Sequence, residues 1–273
     1  MIRVREYHRP RTVEEALQLL QGEDAVPLAG GQQLLAKEWH EAKAVVDLQA
    51  LGLDRIEARG AHLKIGAMVR LQQLVSMPSR FPFLAEAAHC EGPLTYRNAA
   101  TVGGTIVTHS PLSCLLLSLL VLDAEVEVQC TDGSSVVALD KLLIDPARWL
   151  QRGLVTAVTV VLRTEGTAMA VVARTARDQP IVAVAAWVTR QRDRCEEVRL
   201  AWGGVAPYPL RAYSVEQALS GQALEDARIE MAVAQATAAL QPPSDFRGSA
   251  EYRRAMIGVL TRRALREAWS KAA

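Results

Sequence analysis

Two pairs of adjacent glycines constrain the possible folds of this chain more than any other feature. The first pair, Gly30-Gly31, lies in the stretch PLAGGQQLL at residues 27–35. The second pair, Gly103-Gly104, lies in the stretch TVGGTIVTHSP at residues 101–111. Because glycine adopts positive φ readily and lets another backbone or a ligand approach closely, both stretches predict tight turns. For the second stretch, an ordinary turn before a buried segment is the alternative to a ligand-binding turn.

The chemistry of the two stretches favours a diphosphate ligand. Successive backbone N–H groups that no side chain covers form a nest for an anion, and Thr105, Thr108 and Ser110 add hydroxyl donors. Neither stretch contains a lysine, which excludes a Walker loop. Neither matches Gly-x-Gly-x-x-Gly, the common dinucleotide fingerprint. Two glycine turns without lysine therefore favour a diphosphate whose charge is balanced by backbone dipoles.

The composition excludes several classes of protein. The 273 residues include 31 basic and 30 acidic ones, and a net charge of +1 provides no basic surface for nucleic acid. The four cysteines, Cys90, Cys114, Cys130 and Cys195, are far apart in the sequence and form no Cys-x-x-Cys pair. This spacing argues against an iron–sulfur cluster or a zinc site in this chain. Scattered thiols are typical of a reducing compartment, so we expect a cytoplasmic protein.

The sequence also predicts no membrane span. The longest apolar run, Leu115 to Leu122, is interrupted only by Ser118 and is far too short to cross a bilayer. The N-terminal residues around Arg3 and Arg5 contain no apolar core of a signal peptide.

Local patterns predict both helices and strands. Thr12, followed three residues later by Glu15, forms a capping box and predicts a helix start. Asp132-Gly133 between two extended segments predicts a β-hairpin, and Pro111 is expected in the first turn of an apolar helix. The other predicted strands cover residues 25–28, 44–48, 62–66, 154–162, 168–174, 181–190 and 197–203. The other predicted helices cover residues 34–39, 71–75, 83–90, 214–219, 224–240 and 252–269.

The order of these elements predicts an α+β fold with two domains. Residues 1–163 are expected to form a two-part α/β domain with subdomains at about 1–53 and 54–163. Residues 167–273 are expected to form a C-terminal domain with a three-stranded antiparallel sheet and a helix bundle, because strands come first and helices follow.

Five segments in this order resemble the motifs of one known family. They are Pro27 to Leu34, Ile65 to Ala67, Arg97 to Gly104, Gly153 to Val158 and Ser244 to Arg254. The chain resembles the FAD-binding medium subunit of the molybdenum hydroxylases, the group of xanthine dehydrogenase, aldehyde oxidase and aerobic carbon monoxide dehydrogenase. Each motif is weak by itself, but together they are specific and cover nearly the whole chain.

The resemblance implies that the two parts of the first domain bind one noncovalent FAD. It implies no catalytic residue and no metal ligand in this chain. For Val155, which falls where the xanthine dehydrogenase branch has a leucine near the flavin, packing is the alternative to a cofactor contact. The residues that the resemblance implies for cofactor binding are Pro27, Leu28, Ala29, Gly30, Gly31, Gln32, Gln33, Leu34, Thr101, Val102, Gly103, Gly104, Thr105, Thr108, Cys114 and Val155.

Three positions depart from the family pattern. Thr105 stands where the family usually has asparagine after the glycine pair. Cys114 stands where the family usually has an aspartate that binds cofactor hydroxyls, and about Val172 a common lysine is replaced. Because a thiol is a poor acceptor, the change at Cys114 predicts weaker FAD binding. Cys114 is also open to two other interpretations, as a reactive thiol at a helix start or as a buried, inert cysteine.

The resemblance further implies an electron-transfer subunit that is not active alone. A large partner chain would carry the molybdenum cofactor, and a small partner chain would carry two [2Fe–2S] clusters. Electrons would pass from the clusters through FAD to NAD or another acceptor. Two alternatives remain open at this point, namely a noncatalytic assembly subunit that has lost FAD and a standalone flavoenzyme.

Overall fold

The computed structural model describes residues 4–22, 24–32, 44–151, 153–163, 165–175 and 178–272. The predicted helix at 34–39 therefore lies outside the described residues. Within the described ranges, no helix is both long enough and apolar enough to cross a membrane.

Strands and helices follow one another in runs along the described chain. The strands are β1 (Glu6–His8), β2 (Ala25–Leu28), β3 (Ala44–Asp47), β4 (Ile56–Arg59), β5 (His62–Gly66), β6 (Glu125–Cys130), β7 (Gly133–Ala138), β8 (Gly153–Val161), β9 (Thr167–Val172), β10 (Val182–Gln191), β11 (Arg194–Gly203) and β12 (Leu210–Arg211). The described helices are α1 (Val13–Leu19), α2 (Leu71–Val75), α3 (Pro82–Cys90), α4 (Leu94–Ala99), α5 (Val102–Thr108), α6 (Cys114–Val121), α7 (Leu139–Ile144), α8 (Pro146–Leu150), α9 (Tyr213–Leu219), α10 (Asp226–Thr237) and α11 (Ala250–Lys271), with a 3-10 turn at Leu48–Ala50.

These elements divide into two compact units. The first unit contains the described residues within 1–74, 93–108 and 124–161, and the second contains those within 75–92, 109–123 and 162–273. The second unit thus includes α3 and α6, which lie before residue 163 in the sequence. The boundary predicted between residues 163 and 167 stays a prediction.

The first unit contains a small parallel sheet and a larger antiparallel one. In the parallel sheet β3 lies between β1 and β2, and α1 begins as its capping box predicts, because the Thr12 hydroxyl accepts a hydrogen bond from the N–H group of Glu15. The antiparallel sheet has the order β4-β5-β8-β6-β7. The predicted hairpin is confirmed, since Cys130 pairs with Gly133 across the turn between β6 and β7.

The second unit contains an antiparallel sheet packed against helices, as predicted. Strands β9 to β11 form the expected meander, and the two-residue strand β12 adds a fourth member beside β11. Buried side chains of β10, β11, α9, α10 and α11 form one core. In this core the indole N–H of Trp202 donates to the Thr261 hydroxyl at 3.0 Å. The α+β class predicted from the sequence is confirmed.

A buried arginine explains the C-terminal motif at residues 244–254. Arg253 is 1% exposed, and its guanidinium donates to the carbonyl oxygens of Ile181 and Gly204 at 2.6 and 3.0 Å. It also forms an ion pair with Asp245 at 2.7 Å. Because each of these groups lies in a loop, one buried cation fixes three loops of the second unit.

Two sequence predictions about helix starts are wrong. Gly103 and Gly104 lie inside α5, not in a turn. Pro111 precedes α6, whose N-cap is Ser113; the hydroxyl of Ser113 accepts from the N–H group of Leu116 at 3.2 Å. In both places a hydroxyl caps the helix: that of Thr101 for α5 and that of Ser113 for α6.

A buried carboxylate joins the end of α3 to the start of α6. One oxygen of Glu91 accepts from the Ser113 hydroxyl at 2.6 Å and from the N–H group of Leu115 at 2.7 Å. Burial raises the pKa of Glu91 above its usual range, and these two hydrogen bonds lower it in part.

This geometry predicts how substitutions at Glu91 change stability. The folded state retains the Glu91 proton at pH values where the unfolded chain has released it, so the free energy of unfolding falls as pH rises from the unfolded pKa to the folded one. Glu91→Gln keeps an acceptor oxygen and removes this pH dependence. Glu91→Leu leaves two buried donors unpaired, at a cost of about 1–3 kcal/mol each. Denaturant unfolding between acidic and neutral pH measures both effects, and equal stability of the two variants would contradict this role.

Candidate functional site

A cavity of about 160 Å³ in the first unit gathers residues from both glycine stretches. Of the described residues that line it, none carries a charge. Most of the lining is apolar, with four hydroxyl groups and one side-chain amide. The lining residues are Pro27, Ala29, Gly30, Gly31, Gln32, Leu48, Leu53, Ala67, Met68, Tyr96, Ala100, Thr101, Gly103, Gly104, Thr105, Val107, Thr108, Leu154 and Val155.

The first glycine pair leaves its amides available at the cavity. The stretch follows directly from the end of β2, and Gly31 has a φ of 74°, in the left-handed region that favours glycine. Within the described part of the chain, neither the N–H group of Gly30 nor that of Gly31 has a hydrogen-bond acceptor. Two adjacent amides that no described acceptor uses can donate to an anionic ligand at the cavity.

The second glycine pair differs, because its amides already have acceptors inside the protein. The N–H groups of Val102 and Gly103 donate to the carbonyl oxygens of Val69 and Ala67 at 2.9 and 2.8 Å. The N–H group of Gly104 donates to the hydroxyl of Thr101 at 3.1 Å. The prediction that this stretch forms an anion nest is therefore wrong, since its donors are used to attach and cap α5.

Close packing explains why glycine is needed at two of these positions. A Cβ atom at Gly103 would lie 2.7 Å from the Cβ atom of Ala67, and one at Gly30 would lie 2.0 Å from the carbonyl oxygen of Ala99. Each glycine thus lets two segments of the cavity wall meet. A Cβ atom at Gly104 would lie 3.0 Å from the Thr101 hydroxyl, its one close contact among the described residues outside its own helix and chain neighbours.

The predicted hydroxyl donors of α5 are also used inside the helix. The Thr105 hydroxyl donates to the carbonyl oxygen of Thr101 at 3.0 Å, and the Thr108 hydroxyl donates to that of Gly104 at 2.7 Å. Both side chains can therefore only accept a hydrogen bond from a ligand. Thr101 differs, because its oxygen accepts from Gly104 and its own proton remains to be donated.

A β-bulge shapes the wall formed by β8. The register of β6 against β8 shifts between Glu127 and Val128, so that Val128 pairs with Val155 and Glu127 pairs with Ala157. The carbonyl oxygen of the intervening Thr156 accepts from the N–H group of Ala67 at 2.9 Å. Consecutive residues of a regular strand face opposite sides, yet Leu154 and Val155 both line the cavity beside this bulge.

The structure brings together eleven of the sixteen predicted site residues. These are Pro27, Ala29, Gly30, Gly31, Gln32, Thr101, Gly103, Gly104, Thr105, Thr108 and Val155. Leu28 and Val102 are adjacent in sequence to lining residues but do not line the cavity themselves. Gln33 and Leu34 lie outside the described residues.

Cys114 belongs to the second unit and does not line the cavity. It is fully buried at the first position of α6, which agrees with the interpretation of a packed cysteine. Its thiol interacts with that of Cys90, which lies at the end of α3.

Eight lining residues were not predicted from the sequence. Leu154 immediately precedes the predicted site residue Val155. Ala67, Tyr96 and Ala100 lie in or next to the family-like segments named above, so their position in the sequence could have indicated them. Leu48, Leu53 and Met68 belong to the hydrophobic cluster under α1 and have no distinguishing sequence pattern. Val107 lies on the exposed side of α5.

The described lining has no charge and two glycine amides without a described acceptor, which is typical of a site that binds a cofactor through the backbone. Comparison with known proteins indicates the cofactor. Residues 2–160 match the family model of the FAD binding domain in molybdopterin dehydrogenase. Residues 167–268 match that of the CO dehydrogenase flavoprotein C-terminal domain. The chain belongs to this flavoprotein family, and the resemblance found in the sequence is confirmed.

Curated and solved relatives match along their full length. The chain is 33% identical to the glyceraldehyde dehydrogenase medium chain of Sulfolobus acidocaldarius over 96% of this chain and 97% of that one. It is 31% identical to the nicotine 6-hydroxylase medium subunit of Paenarthrobacter nicotinovorans, covering 97% of each. It superimposes with a TM-score of 0.93 on a chain of carbon monoxide dehydrogenase from Hydrogenophaga pseudoflava, at 29% identity and full coverage of both. The protein is an FAD-binding medium subunit of the molybdenum hydroxylase type.

The cavity fits FAD on its own chemistry. The dimethylbenzene end of a flavin ring is flat and apolar, which matches the part of the described lining formed by Ala67, Leu154 and Val155. A diphosphate needs donors, and the N–H groups of Gly30 and Gly31 provide them without a cationic side chain.

The packing of Gly103 predicts a stability effect that is independent of any cofactor. Gly103→Ala places a methyl group against Ala67 and should lower the unfolding free energy of the cofactor-free protein by about 1–3 kcal/mol. Gly258→Ala is a matched control in the middle of α11, because its Cβ atom would lie 3.8 Å from a side-chain carbon of Val233. The control should gain about 0.5–1 kcal/mol from helix propensity. Equal stability of the two variants in denaturant unfolding would contradict this packing role.

Proposed function

We propose that the cavity of the first unit binds FAD noncovalently, with Gly30 and Gly31 donating their amides to the diphosphate. The observation that carries this proposal is a pair of N–H groups that have no acceptor among the described residues and lie at a cavity whose described lining is uncharged. Membership of the FAD-binding family supports it. Cys114 is left out of the proposed contacts, because it is fully buried and does not line the cavity.

Each wall of the cavity has a separate role in this proposal. Thr101 donates its hydroxyl proton to a cofactor oxygen, while Thr105 and Thr108 accept from cofactor hydroxyl groups. The apolar residues Ala67, Leu154 and Val155 exclude water from the ring system. Bound FAD supplies the reversible redox chemistry, and the protein supplies position and environment.

We infer that this chain transfers electrons from the [2Fe–2S] clusters of a small partner chain to NAD or another acceptor. A large partner chain with the molybdenum cofactor would oxidise the substrate. Relatives of the same length are medium chains of enzymes named for glyceraldehyde and nicotine, which are chemically unlike. A shared subunit in enzymes with such different substrates supports a role in electron transfer rather than in substrate recognition.

The cofactor proposal predicts how Gly104→Ala changes binding. The added methyl group meets the Thr101 hydroxyl and otherwise takes up space in the cavity. FAD affinity measured by calorimetry should fall by roughly ten- to a hundredfold, equivalent to about 1.4–2.7 kcal/mol. Gly258→Ala should bind FAD as the unchanged protein does. The unchanged protein should also bind one FAD and prefer it to FMN, because FMN lacks the diphosphate.

Three results would contradict the proposal. Equal affinity for FAD and FMN would show that the protein does not bind the diphosphate. Unchanged FAD affinity in a folded Gly104→Ala variant would place the cofactor elsewhere in the protein. Absence of any FAD binding would favour the alternative of a noncatalytic assembly subunit.

The partner proposal predicts the outcome of a gentle purification from the native host. An affinity-tagged chain should recover a chain with iron and acid-labile sulfide and a larger chain with molybdenum, both measurable by elemental analysis. The isolated chain should show no hydroxylase activity. Recovery of the tagged chain alone, with substrate-dependent reduction of its own flavin, would instead indicate a standalone flavoenzyme.

A further inference from the structure

Two cysteines that are 24 positions apart in the sequence meet in the second unit. Cys90 is the last residue of α3, and Cys114 is the first residue of α6. Their thiols are close enough to affect each other's ionisation. Cys90 is partly exposed to solvent, whereas Cys114 is fully buried.

Hydrogen bonds of Glu91 fix the backbone next to both thiols. Glu91, next to Cys90, accepts hydrogen bonds from Ser113 and Leu115, the two residues that flank Cys114. These bonds of 2.6 and 2.7 Å hold the end of α3 against the start of α6. They bring the neighbour of Cys90 against both neighbours of Cys114, and both cysteines are free thiols in this arrangement.

We propose that Cys90 and Cys114 are a redox modification site that forms an intramolecular disulfide when hydrogen peroxide reaches Cys90. The Cys90 thiolate attacks one peroxide oxygen, the O–O bond breaks, and one water leaves after protonation, which gives a sulfenic acid on Cys90. The Cys114 sulfur then attacks the Cys90 sulfur, the S–O bond breaks, and a second water leaves. Two thiols lose two electrons in total and one peroxide gains them.

The environments of the two sulfur atoms match this order of events. The interaction with Cys114 lowers the pKa of Cys90, although burial and the carboxylates Glu91 and Glu86 oppose this effect. The same interaction, with burial, raises the pKa of Cys114. The partly exposed Cys90 sulfur is therefore the one that ionises, and the buried Cys114 sulfur keeps its proton until the second step.

The disulfide would close a covalent loop of the chain that contains part of the proposed cofactor site. Residues 91–113 carry α4 and α5, which supply Tyr96, Thr101 and Thr108 to the cavity wall. A crosslink between the ends of this segment reduces the conformations of the unfolded chain and raises Tm.

The test oxidises the reduced, purified chain with an equimolar amount of hydrogen peroxide and counts thiols in denaturant. Reduced protein has four free thiols, and the oxidised protein should have two. Its mass should be lower by about 2 Da, the mass of the two hydrogens lost. Non-reducing peptide mapping should recover a peptide that joins Cys90 to Cys114, and dithiothreitol should restore all four thiols and the original Tm.

Variants separate this pair from the other two cysteines. Cys130→Ser should still lose two thiols and form the same linked peptide. Cys90→Ser should form no linked peptide, and Cys114→Ala should accumulate a sulfenic acid on Cys90 that dimedone traps. A disulfide between two chains, or oxidation of Cys90 to a sulfinic acid without a crosslink in the unchanged protein, would overturn the proposal. Cys90 is partly exposed, so Cys90→Ser should fold even if Cys114→Ala does not, and it then tests the proposal by itself.

Discussion

The cavity depends on a short set of backbone hydrogen bonds between residues 66–71 and residues 100–103. The carbonyl oxygens of Ala67 and Val69 accept from Gly103 and Val102, and the carbonyl oxygen of Ala100 accepts from the N–H group of Leu71. The N–H group of Ala67 in turn donates to the bulged residue Thr156 of β8. A helix of seven residues with two glycines has low intrinsic stability, so these tertiary bonds hold α5 in place.

This arrangement gives the two glycine pairs different roles. Gly103 permits the wall to assemble, because a side chain there would collide with Ala67. Gly31 adopts a left-handed conformation that leaves its amide, and that of Gly30, without an acceptor among the described residues. The amides of the first pair are therefore available to a ligand, while those of the second pair bond within the protein and hold the cavity wall together. A diphosphate bound to backbone amides needs no lysine, which agrees with a lining that has no charged residue among those described.

Elements with a local signal were predicted well from the sequence. The helix start at Thr12, the hairpin after Cys130 and the strand at 62–66 all depend on neighbouring residues, and the structure contains each of them. Features that depend on distant contacts were missed. The helical state of Gly103-Gly104 comes from acceptors at residues 67 and 69, and the meeting of Cys90 with Cys114 comes from the packing of α3 on α6. Local propensity carries no information about either contact.

Amide hydrogen exchange with and without FAD tests the central claim most directly, because it follows the two glycine pairs separately. The amides of Gly30 and Gly31 should exchange quickly in the cofactor-free protein and become protected when FAD is added. The amides of Val102, Gly103 and Gly104 should already be protected without FAD and change little. Strong FAD-induced protection at residues 102–104 with none at residues 30 and 31 would contradict the account.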